Sequence, residues 1–362
     1  MTFRPLAARL AAVAATALLA APSLHADSAQ TRARRTAELA PGVYTIRHAD
    51  TLPEVHGNTT VVVGEREVLV VDACYTAGAA REDIEQIRKW TDRPVRWVVI
   101  THWHNDHFGG ARAYVDAYPG VSILAHAETG AMMEMEREDF VPVTLKGAHE
   151  FIDGSRKTLS AGKRRDGKAL TDAEREMLRG RIASSESMIE SMKTFVFQPP
   201  TVTFTEGMTL DLGGRTVEVK HVGRGNTGGD VVAWLPKERI LATGDLVVHP
   251  VPFTYDGYPA EWVRTLERLV ALDPKTIVPG HGDVMNDTSY VLLLRDYLRS
   301  VVAQVTEQIR KKREVELDAV KKAVDVQAFK EKILGDDAED GPLFDNALDS
   351  LVGIVFHEAK QR

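Results

Sequence analysis

The sequence holds a single cysteine, Cys74, in 362 residues. One thiol cannot close an internal disulfide, so the fold must be held by its core rather than by cross-links. A basic excess is missing too. The formal net charge is −7, which argues against a nucleic-acid-binding surface. Beyond the first 26 residues no stretch is long and apolar enough to span a membrane. No serine or cysteine nucleophile motif is present. The glycines near 223–225 do not make a dinucleotide fingerprint, because three glycines opening a helix are absent there. No internal repeat is visible. What remains is ordinary globular material, 44% hydrophobic and 27% charged, and long enough for one large domain or two smaller ones.

The first 26 residues stand apart. Arg4 and Arg9 precede an apolar, alanine-rich stretch from Leu10 to Ala21, and small residues then lead to Ala26. That is the order of a secretory signal peptide, with cleavage expected after Ala26. Its removal takes two arginines from a chain of −7 and leaves −9. A periplasmic or secreted protein is expected, with a polar, poorly ordered segment at 27–40.

From Gly42 the pattern alternates. Val43–Arg47, Thr59–Gly64 and Val68–Asp72 read as strands, and Ala80–Thr91 as a helix with Ile84, Ile87 and Trp90 roughly on one face. Val95–Thr101 reads as a buried strand, 109–118 as a helix and Ser122–Ala125 as a strand. This is an α/β layered pattern. Residues 130–195 interrupt it with a polar loop and then a helix opened by the capping box Thr171-x-x-Glu174. Thr201–Thr205, Met208–Leu212 and Thr216–Val222 are expected to be antiparallel strands, with Gly213-Gly214 as the last turn. Val231–Leu235, Ile240–Thr243 and Thr276–Val278 follow as strands, and Pro259–Leu272 as a helix. From Tyr290 the chain reads as helical. The expected organisation is a signal peptide at 1–26, a polar segment at 27–40, a main domain at 41–290 with a helical insertion at about 130–195, and a helical extension at 291–362.

Three imidazoles and one carboxylate fall within six residues, as His102, His104, Asp106 and His107, directly after the apolar strand. Core packing does not explain that spacing. Imidazole nitrogen and carboxylate oxygen are ligands that suit zinc and similar divalent metals. Cys74, at a strand end, reads as a packing residue.

The run THWHNDHFGG at 101–110 resembles the H-x-H-x-D-H signature of the metallo-β-lactamase fold superfamily. Further landmarks follow in order: Asp72 ending VLVVD, GNTGGD at 225–230, Asp245 in ATGDLV and His281 in VPGHG. The resemblance covers roughly residues 42–290. It implies a four-layer αββα sandwich, here with a helical insertion and a helical C-terminal tail. Two metal sites would lie between its halves. His102 and His104 would bind the first metal, and Asp106, His107 and His281 the second. Asp245 would bridge them, and Asp72 would orient the loop by hydrogen bonds. His126 would be structural. Asn226 departs from the family pattern, which has a histidine there; an amide oxygen is the poorer zinc ligand. The expectation is one tightly bound Zn2+ at the second site and a first site weak or empty. Asn226 is left as a weak ligand or substrate contact, and His221 or His249 as an alternative ligand.

The resemblance implies a hydrolase that uses metal-activated water on a small-molecule ester, lactone, lactam or related bond, with Asp106 as general base. Neither a nucleic-acid partner nor a membrane span in the mature chain is expected. Two other readings stay open: a metallo-β-lactamase acting on antibiotics, and a non-catalytic metal- or ligand-binding protein with a degenerate first site. The aromatic and proline-rich loop from His249 to Trp262 either walls the pocket or simply packs.

Overall fold

The computed structural model describes residues 34–48, 55–164, 167–312, 314–335 and 340–361. The expected signal peptide lies outside the described residues. Two sheets form the centre. The first runs in chain order from β1 (Arg35–Ala40) through β2 (Val43–Arg47), β3 (Thr59–Val63), β4 (Val68–Val71), β5 (Val95–Val99) and β6 (Ser122–His126) to β7 (Val202–Phe204). It is antiparallel from β1 to β4 and parallel from β4 to β7. The second sheet holds β8 (Gly207–Asp211), β9 (Thr216–Lys220), β10 (Val232–Leu235), β11 (Ile240–Ala242) and β12 (Thr276–Val278). Its one parallel pair is β11 with β12.

The alternation of side chains along each strand divides the apolar residues between layers. In β4, Leu69 and Val71 join the core between the sheets, while Val68 and Val70 face a helix layer. In β10, Ala233 and Leu235 point inward, and Val232 and Trp234 outward. Helix α1 (Ala77–Trp90) covers the first sheet. Thr76 caps it, its Oγ1 accepting from Ala79 N at 3.3 Å, and Ala80, Ile84 and Ile87 form its buried stripe. Two short helices, α2 (Asn105–Phe108) and α3 (Ala111–Ala117), complete that layer.

On the second sheet lie α7 (Pro259–Ala271) and α8 (Ser289–Lys311), followed by α9 (Leu317–Ala323), α10 (Gln327–Leu334) and α11 (Gly341–Gln361). Trp262, Leu266, Leu298, Val301, Phe344 and Leu351 are buried there in one cluster. Each contributes about 1.5–3 kcal/mol of burial. The result is the four-layer αββα sandwich, with a helical tail packed into the outer layer of the second half.

Several expectations need correction. Residues 35–40 are not loose: they pair antiparallel with β2 as an edge strand. Their side chains are mostly exposed, so no apolar signal marks the strand. The stretch after residue 130 is helical rather than a loop, with α4 (Ala127–Glu136) and α5 (Phe140–Ala161) preceding α6 (Asp172–Lys193). In α5, Phe140, Thr144, Ala148, Phe151, Ile152 and Ser155 form a helical stripe in which polar residues stand among the apolar ones. Strand β7 is not antiparallel to β8. It crosses back to pair parallel with β6, as the insertion between them allows. The Thr171 capping box is formed as expected.

Candidate metal centre

The candidate side chains leave the carboxyl ends of two parallel pairs, β4–β5 and β11–β12, where α/β sheets commonly place their sites. Asp72 follows β4 and the histidine run follows β5; Asp245 follows β11 and His281 follows β12. The two halves are stitched together beside them. Asn58 Nδ2 donates to the carbonyls of Pro279 and Gly282, both at 2.9 Å, and Val231 N donates to Thr101 O at 2.9 Å.

Asp72 has a left-handed backbone, φ +65°, which an aspartate tolerates better than most residues. That turn aims its carboxylate at the histidine run. Oδ1 accepts from Thr101 N at 2.8 Å and Oδ2 from Thr101 Oγ1 at 2.9 Å, while His107 Nδ1 lies 2.7 Å from Oδ2. In its neutral, metal-ligating form His107 therefore carries its proton on Nδ1 and presents the Nε2 lone pair to the site. The Thr101 hydroxyl spends its proton on Asp72, so it accepts from His102 Nδ1 at 3.0 Å. His102 Nε2 is thereby bare as well, and it is buried without a hydrogen-bond partner.

These two Nε2 atoms converge with carboxylates. His107 Nε2 is 3.2 Å from Asp245 Oδ1, 3.4 Å from Asp106 Oδ2 and 3.3 Å from His281 Nε2. His281 Nε2 is 3.0 Å from Asp106 Oδ2 and 3.5 Å from Asp245 Oδ1. On the other side, Asp245 Oδ2 lies 3.7 Å from His102 Nε2. Asp245 thus offers one oxygen to each half of the site. Two ligand trios result, His102–His107–Asp245 and Asp106–His107–His281. The electrostatics are those of a site built around positive charge. Burial would lower the pKa of His107, but Asp245, Asp106 and Asp72 raise it well above the usual value. Burial, with the His107 and His104 rings, holds His102 well below it. Burial would raise the carboxyl pKa of Asp106, yet His107 and His281 pull it well down. His102 Nε2 and Asn226 Oδ1, buried without hydrogen-bond partners, complete a donor set that fits a divalent metal.

The metallo-beta-lactamase superfamily model matches residues 52–281. The chain belongs to that superfamily. It is 24% identical over 249 residues to the linear primary-alkylsulfatase of a Pseudomonas species, covering 67% of this chain and 44% of that one. With a type 2 metallo-beta-lactamase of a Bacillus species it shares 25% over 251 residues, 68% of this chain and 74% of the other. A solved double mutant of the sec-alkyl sulfatase PisA1 superposes on 90% of this chain and 50% of its own, with a TM-score of 0.61 at 16% identity. The chain thus spans half or less of the sulfatases it matches.

The remaining candidate residues lie around these trios. His104 belongs to neither trio. Its ring is 4.6 Å from that of His102, and its Nε2 faces Asp256 Oδ2 at 3.3 Å. Burial would lower its pKa, but Asp256 raises it. Asn226 is buried, and its Nδ2 donates to the backbone oxygen of Asp245 at 3.3 Å. His221 donates from Nδ1 to Asp230 O at 2.8 Å and stacks on His126 at 4.4 Å; the His249 ring lies against Tyr290. Neither is in a ligand trio among the described residues. The loop from His249 divides its work: Trp262 is in the core, while Asp256 reaches the site.

Three contributors escape sequence reasoning. Asp256 gives no signal, lying more than 150 residues from His104. Asp230 collects Gly225 N, Thr227 N and Thr227 Oγ1 at 2.9–3.0 Å, fixing the turn that carries Asn226. Thr101 sets the tautomer of His102, and its place beside the histidine run was the one available hint.

Proposed function

We propose that this chain is an exported, zinc-dependent hydrolase that cleaves a small-molecule ester, sulfate ester, lactone or lactam with water. The carrying observation is the convergence of His102, Asp106, His107, Asp245 and His281, with the bare Nε2 of His107 common to both trios. Asp106, His107, His281 and Asp245 would hold one zinc tightly. His102, His104 and Asp245 would form a weaker site, because Asn226 offers only an amide oxygen and His104 is engaged by Asp256. Zinc bound there would lower the pKa of a water ligand to about 7 and polarise the oxygen under attack.

The protein's own groups supply the rest. Asp106 is the more open of the two central carboxylates, 24% exposed against 8% for Asp245. It would orient the attacking water and take its proton. Asp72 and Thr101 hold both histidines in the ligating tautomer, which spares reorganisation during turnover. Alkyl sulfates and β-lactams, the substrates in the relatives' names, head the panel to be tested beside chromogenic esters and lactones.

The test is elemental analysis of purified protein together with that panel. One tightly bound zinc that is lost in His107→Ala is expected at this centre, with hydrolysis of at least one substrate class abolished by chelation and by the same substitution. A folded protein that takes up no metal overturns the reading. Export is checked separately: protein recovered from the periplasm should begin at Asp27.

A further inference from the structure

A second cluster of ligating side chains lies away from the centre described above. His48 follows β2, Thr59 opens β3, Cys74 follows the Asp72 turn and Asp83 sits in α1. All four are buried, none more than 4% exposed. His48 Nε2 is 3.4 Å from Cys74 Sγ, 3.3 Å from Asp83 Oδ2 and 3.3 Å from Thr59 Oγ1. Cys74 Sγ is 3.3 Å from Asp83 Oδ2 and 3.8 Å from Thr59 Oγ1. Arg34 binds the other carboxylate oxygen, Oδ1, at 2.9 Å and leaves Oδ2 to the cluster.

We propose that His48, Cys74 and Asp83, with Thr59 as a fourth and weaker ligand, form a structural binding site for a thiophilic divalent metal such as zinc. The geometry carries this. Five of the six separations among the four atoms are 3.3–3.8 Å, edges of the length a tetrahedral site needs. An ion at its centre would lie roughly 2.0–2.3 Å from each corner, the range of zinc bonds to nitrogen, oxygen and sulfur. As hydrogen bonds the two His48–oxygen contacts are long, though the sulfur contacts are of ordinary length. An N–H···O bond is about 2.7–3.2 Å long, and His48 Nε2, which can hold one proton, faces oxygens at 3.3 Å on two sides. Thiolate, imidazole and carboxylate together select zinc-like ions over magnesium or calcium. Binding replaces the S–H bond with a sulfur–metal bond and releases the thiol proton to solvent.

The site would bear on the first centre through the backbone. Cys74, like Asp72, has a left-handed conformation, φ +63°. Between them Ala73 N donates to His107 O at 2.7 Å, and Cys74 O accepts from Gly110 N at 3.0 Å. A metal on Cys74 Sγ would therefore fix the turn that aims Asp72 at His107. This inference stands independently of the hydrolase reading.

Cys74 is the chain's one sulfur ligand of this kind, so a thiolate–metal signature can come from nowhere else. The protein is produced in zinc-depleted, cobalt-supplemented medium and its near-ultraviolet absorption recorded. A thiolate-to-cobalt charge-transfer band is expected in the wild type and in His107→Ala, which disables the first centre. The band should vanish in Cys74→Ser, with one metal per chain lost. Absence of the band from wild-type protein overturns the proposal and leaves a hydrogen-bonded cluster only. Since the wild-type and His107→Ala spectra decide, misfolding of the serine variant would not blunt the test.

Discussion

Asp72 Oδ2 lies 2.7 Å from His107 Nδ1, and that one contact decides which nitrogen of His107 faces the metal. Asp72→Asn keeps a residue that tolerates the left-handed backbone but removes the carboxylate. Partners of this kind are worth about 10–100-fold in metal affinity. Zinc affinity measured by chelator competition should fall by that order, and any hydrolytic activity should return at excess zinc. Unchanged affinity would show that His107 does not need Asp72.

How much of this was legible in the chain depended on where the information sits. The His102–His107 run, the Asp72 turn and the glycine-flanked Asp245 and His281 are each local, so six residues of sequence suffice to mark them. The αββα layering was legible because Val, Ile and Leu alternate in strands such as β4 and β10. Contacts between distant segments were not. Nothing near Asp256 announces His104, and nothing near Cys74 announces His48 or Asp83, which meet it only once β2 and α1 pack together. Strand β1 and helix α5 were missed for a related reason: β1 is held by backbone pairing, and α5 carries threonine and serine in its buried stripe.

Asp256 engages His104 at 3.3 Å and so competes with any metal for its Nε2. The pair is partly open to solvent, so the contact is worth about 1 kcal/mol or less. Asp256→Ala should raise the affinity of the first half-site by up to about fivefold. Calorimetric titration of protein already holding one zinc would measure it. Weaker binding in the variant would mean that Asp256 helps the metal instead.

His126 couples stability to pH. Its Nδ1 accepts from Glu128 N at 3.2 Å and caps α4, and its Nε2 donates to Thr205 O at 2.9 Å. Burial and the stacked His221 hold its pKa below the usual value. The unfolded chain therefore binds this proton more readily than the folded one, and stability rises with pH. The contribution is complete above about pH 6.5 and is lost as the pH falls below it. His126→Asn keeps a capping acceptor and cannot titrate. Its thermal midpoint should depend less steeply on pH between 7.5 and 5.5 than that of the wild type; parallel curves would remove His126 as a contributor.

Gly280 is required by its neighbour. A Cβ there would stand 1.9 Å from Asp245 Oδ1 and 2.7 Å from the Gly244 carbonyl carbon. Neither the carboxylate, held among His102, His107 and His281, nor the backbone can yield cheaply. Gly280→Ala should cost about 1–3 kcal/mol of stability by overpacking, together with loss of bound metal. Denaturant unfolding and elemental analysis test the two effects. A variant with wild-type midpoint and metal content would show that the Asp245 loop is softer than its contacts imply.

Asn226 sets the expected difference between the two metal sites. Its Oδ1 is buried without a partner, and its Nδ2 holds the Asp245 carbonyl at 3.3 Å. The turn carrying it is fixed by the three hydrogen bonds to Asp230, so a substituted side chain starts from a defined backbone. Asn226→His supplies the imidazole that the superfamily pattern has at this place. At saturating zinc the metal content should rise from one to two per chain at the first centre, counted in a Cys74→Ser background so that the buried cluster adds nothing. The substitution also breaks the hydrogen bond to Asp245 O, at a cost of about 1 kcal/mol, which is small beside an added zinc ligand. A count that stays at one places the weakness in the contact of His104 with Asp256, and then only the double variant Asn226→His/Asp256→Ala should fill the site.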